Sequence, residues 1–322
     1  MMNKTSIDWC DFSWNPVTGC RRGCPYCYAR AMARRFTGDI RINLADPQIT
    51  AQDGPEGKVY TLATPFKNGR GKTVLFPAGF EPTFHEYRLA DIQKKKKPAT
   101  IFVCSMADLF APGIPDEWIA RVFEACKAAP WHNYLFLTKY PRRYCDLANA
   151  GKLPRRREHP NFWYGTTVTK RGDSFFGEAI TYNTFLSIEP ISGSMDADVG
   201  SFGGVRWIIV GAETGNRKGK ITPERAWIEN IIEAAAITHA AVLLKDSAEL
   251  RAVWGDDLIQ QFPEGLEPMP EDNSVPHCKA CEDARIEQQG KRGEAVTCSI
   301  TGHHVPGRYS RISPAWCPKR EK

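Results

Sequence analysis

The sequence lacks the long apolar segments that membrane proteins need. Its 322 residues contain no run of about 18 apolar residues. The stretch from Met1 to Asn15 has no apolar core of the signal-peptide kind. There is also no internal repeat. We therefore expect a cytoplasmic globular protein that is long enough to bury a core the size of an α/β barrel.

A complete phosphate-binding loop is also missing. Residues 66–73 (FKNGRGKT) end like a P-loop, but Phe66 stands where the first glycine is required and no apolar strand precedes it. Residues 215–221 (GNRKGKI) lack both the loop length and the Ser or Thr that binds magnesium. Neither segment supports a nucleotide triphosphatase.

Positive charge is present in local runs rather than as a large excess. The net charge is +6, and the basic runs are Arg34–Arg35, Lys94–Lys97, Arg142–Arg143 and Arg155–Arg157. Such runs suit phosphate-bearing partners, although a solvated loop edge is the better explanation of any single run. Together they make nucleic acid or a nucleotide the leading partner hypothesis, with no membrane partner.

From about residue 100 the chain alternates short apolar runs with amphipathic stretches. The predicted strands are 99–106, 133–139, 162–168, 184–190, 206–213 and 241–246. Each is apolar nearly throughout, as parallel strands covered on both faces are. Helices are predicted over 27–36, over 115–129 after Pro115, and over 222–236, with Thr222 as N-cap and Pro223 at the first helical position. This order predicts a parallel sheet or barrel with right-handed crossovers.

The ends of the chain give weaker patterns. Residues 60–66 and 72–84 are candidate strands, and the Gly-, Pro-, Asp- and Asn-rich stretch 38–71 predicts an irregular insertion. We expect three parts: a main domain over 1–250, a linker over 251–272 and a cysteine-rich tail over 273–322.

Three cysteines stand close together in the first part. The chain has eleven cysteines, which in a reducing compartment are better candidates for metal ligands than for disulfides. Cys20, Cys24 and Cys27 are spaced C-x3-C-x2-C with no fourth cysteine nearby. Three ligands on a four-iron cubane leave one iron open for a substrate or cofactor. The alternatives are a zinc site completed by a distant Cys or His, and three unrelated thiols.

The tail carries a second set of four cysteines. Cys278, Cys281, Cys298 and Cys317 follow the spacing C-x2-C-x16-C-x18-C. A segment this short cannot build a stable apolar core without a cross-link such as a metal ion, so the spacing predicts a bound metal. A four-cysteine zinc site and an auxiliary iron-sulfur cluster both fit, and a tail without metal is the third possibility.

Polar residues follow the predicted strands at their carboxyl ends, where β/α barrels carry their catalytic groups. They are Ser105, Asp108, Lys139, Thr167, Thr169, Glu189, Glu213, Lys245 and Asp246. Some of them could equally be rim residues with ordinary hydrogen bonds.

The spacing C-x3-C-x2-C is also that of the radical S-adenosylmethionine (SAM) enzymes, and Tyr26 occupies their aromatic position before the third cysteine. The chain resembles more closely a family of phage and prophage proteins described as radical-SAM-like. The shared phrases run in order over about residues 5–247: TSIDWCDFSWNPVTGC, CPYCYA, FVCSMADLF, LTKYPRR, LSIEPI, WIIVGAETG and LLKDS. Two departures are Gly-Ala-Glu at 211–213, where the family more often has Gly-Gly-Glu, and Lys-Asp at 245–246, where it usually has Lys-Gln.

This resemblance implies a fold and a chemistry. The fold is a partial (β/α)6 TIM-type barrel of the radical SAM kind with a small C-terminal cysteine-rich domain. A 4Fe-4S cluster on Cys20, Cys24 and Cys27 would bind SAM and, reduced by a flavodoxin-type partner of the host, cleave it to a radical that abstracts hydrogen from a substrate. We assign SAM binding to Tyr26, Ser105, Thr167, Glu189 and Glu213, and catalytic roles to Glu189, Lys245 and Asp108.

The substrate is the least determined part of this hypothesis. The phage setting of the family and the basic runs favour a modified base in DNA, or its nucleotide, in phage DNA hypermodification. Two alternatives remain. One is a DNA repair enzyme like spore photoproduct lyase, and the other is a non-catalytic protein in which zinc sites brace a nucleic-acid-binding surface.

Overall fold

The computed structural model describes residues 2–195, 202–215 and 217–266, and in the C-terminal region the backbone of 284–288, 294–299 and 304–305. The chain divides into two compact units, Met1–Leu266 and Glu267–Lys322. Each unit is described by itself below.

The first unit alternates strands and helices along most of its length. In chain order its elements are β1 (Met2–Lys4), β2 (Phe12–Trp14), β3 (Val17–Thr18), α1 (Tyr28–Phe36), α2 (Ile40–Leu44), β4 (Thr50–Gly54), β5 (Gly57–Leu62), β6 (Thr83–His85), a 3-10 helix (Glu86–Arg88), α3 (Asp91–Lys94), β7 (Thr100–Val103), α4 (Asp116–Lys127), β8 (Asn133–Thr138), α5 (Pro141–Asn149), β9 (Phe162–Val168), β10 (Asn183–Ile188), β11 (Trp207–Val210), α6 (Arg225–Thr238), β12 (Ala241–Leu244) and α7 (Ala248–Trp254).

Eight of these strands form the central sheet, in the order β1-β2-β7-β8-β9-β10-β11-β12. Strand β1 is antiparallel to β2, and every other neighbouring pair is parallel. The prediction of a parallel sheet is confirmed, and each of its six predicted strands overlaps one of β7 to β12. The fold is mixed α/β. In the part of the chain that the structure describes, the hydrogen-bonded order ends at β1 and β12, so a closed barrel does not form.

The two faces of the sheet pack differently. One face packs against α4, α5 and α6 through the core clusters that contain those helices. The opposite face carries its own apolar cluster, formed by Trp9, Phe102, Leu135, Trp163, Phe185, Trp207, Ile209, Leu243 and Leu266. Because alternate side chains of a strand point to opposite faces, strands that are buried on both faces must be apolar throughout.

Residues 5–11, between β1 and β2, bridge the open side of this sheet. The Trp9 ring centroid lies 4.7 Å from that of Phe102 on β7 and 6.3 Å from that of Phe185 on β10. One indole reaches strands three positions apart because the sheet curls around it. The Asp8 carboxylate accepts a hydrogen bond from the backbone N–H of Asp246, just after β12. The loop therefore connects the first and last strands.

Two helix predictions are confirmed and one is wrong at its start. Helix α1 begins after Cys27 and α4 begins directly after Pro115. Helix α6 begins at Arg225, and Glu224 occupies the N-cap position in an extended conformation. Contrary to the prediction, Thr222 is therefore not the N-cap and Pro223 is not the first helical residue. Residues 169–182, between β9 and β10, contain no helix, so the β-then-α alternation is incomplete.

The prediction of an irregular insertion over 38–71 is wrong. This stretch forms α2, capped by the Asp39 side chain, and the antiparallel hairpin β4–β5. The hairpin belongs to a second sheet of order β3-β6-β5-β4. Its turn closes on Gly57, whose φ of +107° is open to glycine and strained for other residues. The glycines and prolines therefore mark a tight turn rather than irregular chain.

In the second unit, β13 (Ala284–Gln288), β14 (Glu294–Cys298) and β15 (His304–Val305) form an antiparallel sheet in that order. Cys298 is the last residue of β14, while Cys278, Cys281 and Cys317 lie outside the described residues. The predicted tail metal is therefore not tested. No helix in the described part of the chain is long and apolar enough to cross a membrane.

Candidate active-site cavity

A cavity of about 740 Å³ opens at the carboxyl ends of the parallel strands. It is lined by all ten site residues predicted in the first unit: Cys20, Cys24, Tyr26, Cys27, Ser105, Asp108, Thr167, Glu189, Glu213 and Lys245. Lys139 also lines it. Parallel strands end at one edge of a sheet, so residues far apart in sequence meet there. Thr169 and Asp246 do not line the cavity. They bind Asp173 and Arg251 instead.

The cysteine loop is fixed at both ends. At its start, Gly19 has a φ of +91°, and a Cβ there would lie 2.2 Å from the carbonyl oxygen of Glu81, so only glycine fits. At its end, the Cys27 thiol accepts a hydrogen bond from the Arg30 N–H at 3.4 Å and caps α1. The Arg30 guanidinium donates to the Cys20 carbonyl at 2.6 Å. The first and third cysteines are thus joined through one arginine.

Arg21 ties the same loop to the insertion. Its Nε donates to Glu81 Oε2 at 2.8 Å and its Nη1 to the Glu56 carbonyl at 2.8 Å, while Nη2 donates to the Lys58 carbonyl. Glu56 and Lys58 flank the turn of the β4–β5 hairpin. The planar guanidinium matches three acceptors that no other side chain would satisfy together.

The thiols lie in a half-buried, electrostatically crowded environment. Burial, with smaller contributions from Asp108, Cys24 and Cys27, raises the pKa of Cys20 to about 11. Burial and the neighbouring Cys24 raise the pKa of Tyr26 to about 12. Within the described ranges, no group of three or more His, Cys, Asp or Glu side chains is arranged around the position of a single metal ion.

Glu189 and Lys245 face each other across the strand ends of β10 and β12. They form an ion pair, and the Ser187 hydroxyl donates to Glu189 Oε2 at 3.3 Å. A Cβ on Gly211 would lie 3.0 Å from both Glu189 Cδ and Lys245 Cδ. The absence of a side chain at Gly211 leaves the space in which this pair sits.

Glu213 is buried, with 8% of its surface exposed, and it is held by a residue that sequence reasoning missed. Both of its oxygens accept hydrogen bonds from the Arg217 guanidinium, at 2.5 and 2.7 Å. These bonds lower the pKa of Glu213. Paired in this way, the carboxylate is charged and its two oxygens are in use.

Asp108 joins the ends of β7 and β8. Its Oδ1 accepts from the Thr138 hydroxyl at 2.7 Å and from the Phe110 N–H at 3.1 Å, and its Oδ2 accepts from the Lys139 N–H at 2.9 Å. Burial raises its pKa despite these bonds. These bonds give the carboxylate a bracing role that holds the backbone of Lys139 at the cavity wall.

Other lining residues were also missed by sequence reasoning. Asn15 Oδ1 accepts from the Met106 N–H at 2.8 Å and the Ser105 hydroxyl at 3.2 Å, and Tyr28 OH donates to the Ser105 carbonyl at 2.8 Å. Trp9 lies at the wall formed by residues 5–11. Asn15 stands in the phrase WNPVTGC, where Asn-Pro indicates only a turn.

Three solved structures similar to the chain are of spore photoproduct lyase. A mutant with bound AdoMet and dinucleoside spore photoproduct has a TM-score of 0.38 and 11% identity, covering 73% of this chain and 64%, less than two thirds, of that chain. A second mutant has a TM-score of 0.42 and 11% identity, covering 76% of this chain and 78% of that chain. The complex with dinucleoside spore photoproduct has a TM-score of 0.38 and 9% identity, covering 92% and 71%. TM-scores this low carry no argument about function.

Sequence comparison gives a firmer result. No curated protein matches the chain significantly. The model of one family, described as proteins of unknown function (DUF5131), matches residues 4–256. This match covers most of the first unit, including the cysteine loop and the central strands from β2 to β12. The chain therefore belongs to the DUF5131 family.

Proposed function

We propose that this protein is a radical SAM enzyme that acts on a base in nucleic acid, and that its curved sheet is a partial barrel of that kind. The observation that supports this best is the composition of one cavity. The three thiols of C-x3-C-x2-C and polar residues from the ends of six strands, β7 to β12, line the same space.

The donor set fits a 4Fe-4S cluster. Cys20, Cys24 and Cys27 come from one loop and line the same cavity. Burial, with smaller contributions from Asp108, Cys24 and Cys27, raises the pKa of Cys20, and a bound cationic iron centre would offset this. A cubane carries its protein ligands on separate irons, so the thiols need not converge as they must around one zinc ion. Such a cluster supplies one-electron chemistry at an iron without a protein ligand, which in radical SAM enzymes cleaves bound SAM.

The remaining groups bind and orient. Glu213, buried and charged, is suited to an ammonium group of SAM once Arg217 gives way. The Ser105 and Thr167 hydroxyls and the Tyr26 ring are suited to its sugar and base. The Glu189–Lys245 pair can hold a proton at the Lys245 Nζ close to the substrate. Residues 5–7 and Trp9 supply part of the cavity wall.

Cations at the cavity support a phosphate-bearing substrate. Arg22 lies with its guanidinium 4.9 Å from the Tyr140 ring centroid and donates to the Lys139 carbonyl at 3.2 Å. Lys139 lies 5.8 Å from the Tyr26 ring centroid. Both basic residues line the cavity beside aromatic rings, an arrangement that suits a nucleotide. We retain modification of a base in phage DNA as the specific proposal.

Iron and sulfide analysis of protein purified without oxygen tests this proposal. We expect a brown protein with about four irons and four sulfides per chain at the first-unit site, and a cubane EPR signal after reduction. A colourless protein that contains zinc alone would contradict the proposal and favour the non-catalytic zinc protein.

A further inference from the structure

The four basic runs of the sequence occupy different places in the fold. Lys94–Lys97 and Arg155–Arg157 precede β7 and β9, so they lie at the amino edge of the sheet, opposite the cavity. Arg142 and Arg143 follow β8, but Asp146 and Asp116 pair with them. Arg34–Arg35 lies on α1, the helix that follows the cysteine loop.

Helix α1 carries positive charge without acidic residues. Its sequence is YARAMARRF, with Arg34 and Arg35 exposed in its last turn. Among the described residues neither of these two arginines makes an ion pair or a side-chain hydrogen bond. Two unneutralised guanidinium groups on one short helix attract an anionic partner.

The same helix exposes a row of large apolar side chains. Tyr28, Met32 and Phe36 are 54%, 40% and 49% exposed and follow one another at every fourth residue, which places them along one side of the helix. Leu75, 42% exposed, stands beside the cavity mouth. Core packing does not use this row, which we call the α1 ridge (Tyr28, Met32, Phe36).

The α1 ridge is continuous with the active-site cavity. Tyr28 and Met32 line the cavity, while Phe36 lies two turns away from Tyr28 on the same helix. A nucleic-acid strand that enters the cavity along α1 would therefore pass the side chains of the α1 ridge and then reach Arg22 and Lys139 in the cavity. Aromatic surfaces next to cations bind single-stranded nucleic acid by base stacking and phosphate contact.

We propose that the α1 ridge with Arg34 and Arg35 is a docking track for single-stranded DNA that leads a base into the cavity. The proposal rests on the proposed function for the choice of nucleic acid. Bases stack on Tyr28 and Phe36, and phosphates pair with Arg34 and Arg35.

Fluorescence anisotropy with the full-length protein and a labelled oligo(dT) of about 12 nucleotides tests the track. The variant Arg34→Gln/Arg35→Gln should weaken binding and make the slope of log K against log salt less steep by about 1.4, as expected for two lost phosphate contacts. The matched control is Arg155→Gln/Arg157→Gln at the opposite edge, which should leave the slope nearly unchanged. Both arginines are exposed, and their side chains have no partner among the residues that the structure describes.

Phe36→Ala tests the stacking part. It should weaken oligo(dT) binding about fivefold or more, because a stacked base is worth about 1–3 kcal/mol. Ile180→Ala, at a side chain that is 94% exposed, is its control. Equal losses in the two arginine variants would overturn the proposal, and so would a Phe36→Ala protein that binds as the Ile180→Ala protein does. Iron content is measured on the same samples. A protein without iron that binds oligo(dT) through α1 would refute the proposed function and leave the track standing.

Discussion

At the scale of single residues, the contact between Glu213 and Arg217 gives two predictions of opposite sign. Glu213→Gln should weaken SAM binding, because a charge-assisted hydrogen bond worth roughly 1.5–3 kcal/mol becomes a neutral one. Arg217→Gln should strengthen it, because the carboxylate no longer has to leave a bidentate partner. Equilibrium dialysis of SAM with the cluster-loaded protein measures both.

The control for this pair is Glu229→Gln. Glu229 pairs with Arg225 at the same sequence separation but on the exposed face of α6. Its substitution should leave SAM affinity unchanged. Equal SAM affinities in the Glu213→Gln and Glu229→Gln proteins would show that Glu213 does not bind SAM and only forms an ion pair with Arg217.

His85 predicts how stability depends on pH. It is fully buried, its Nε2 lies 2.8 Å from the Thr18 hydroxyl, and burial with the nearby Arg88 charge holds its pKa well below the usual 6.5. As pH falls below 6.5 the unfolded chain gains a proton here that the folded protein does not. Stability should therefore fall by up to about 1.4 kcal/mol per pH unit below 6.5 from this group alone.

Urea unfolding at pH 7.5 and 5.5 measures this effect. The His85→Gln protein should lose less stability between the two values than the natural protein does. His239→Asn, at an exposed residue whose left-handed conformation Asn tolerates, should lose as much as the natural protein. An unchanged pH dependence in His85→Gln would contradict a neutral buried imidazole.

Sequence reasoning brought together the residues that follow strands and line the cavity, and it missed the contacts that depend on loops. Glu189, Glu213 and Lys245 could be placed because parallel strands end together. Arg217 could not, because its contact with Glu213 depends on the conformation of the loop after β11. The Asn-Pro sequence at Asn15 indicates only a turn, whereas in the structure its buried amide oxygen accepts hydrogen bonds from Ser105 and Met106.

At the scale of elements, the strands from β7 to β12 were predictable because both of their faces are buried and their sequences are apolar throughout. Strand β2 was missed because it has only three residues, Phe12–Trp14. The β4–β5 hairpin was missed because strand β4 is largely exposed and polar, so no alternation marks it.

This hairpin has a predicted role in holding the cysteine loop. Arg21→Gln should speed alkylation of Cys20 in cluster-free protein about tenfold or more, because the loop loses bonds to the hairpin and to Glu81 worth roughly 1.5–3 kcal/mol each. Mass spectrometry after timed iodoacetamide treatment gives the rate. Arg70→Gln, on an exposed part of the same insertion, is the control. An alkylation rate equal to that of the control would mean that the loop holds its shape without Arg21.

At the scale of the whole molecule, the division at Leu266 separates the cavity from the tail cysteines along the chain. We predict that Cys278→Ser/Cys281→Ser loses one tail metal, zinc or a cluster, and keeps SAM cleavage, because all three cysteines that line the cavity belong to the first unit. Metal analysis of the soluble double variant measures this. Unchanged metal content would show that these two cysteines are not ligands.

Formation of 5′-deoxyadenosine tests the central claim most directly. Cluster-loaded protein, incubated anaerobically with SAM and a reductant, should produce 5′-deoxyadenosine detectable by mass spectrometry, and Cys24→Ala should abolish it, since two protein ligands do not hold the cubane. Cys145→Ala, at an exposed cysteine away from the cavity, should retain it. An iron-loaded natural protein that yields no 5′-deoxyadenosine, or a Cys24→Ala protein that still yields it, would contradict the account.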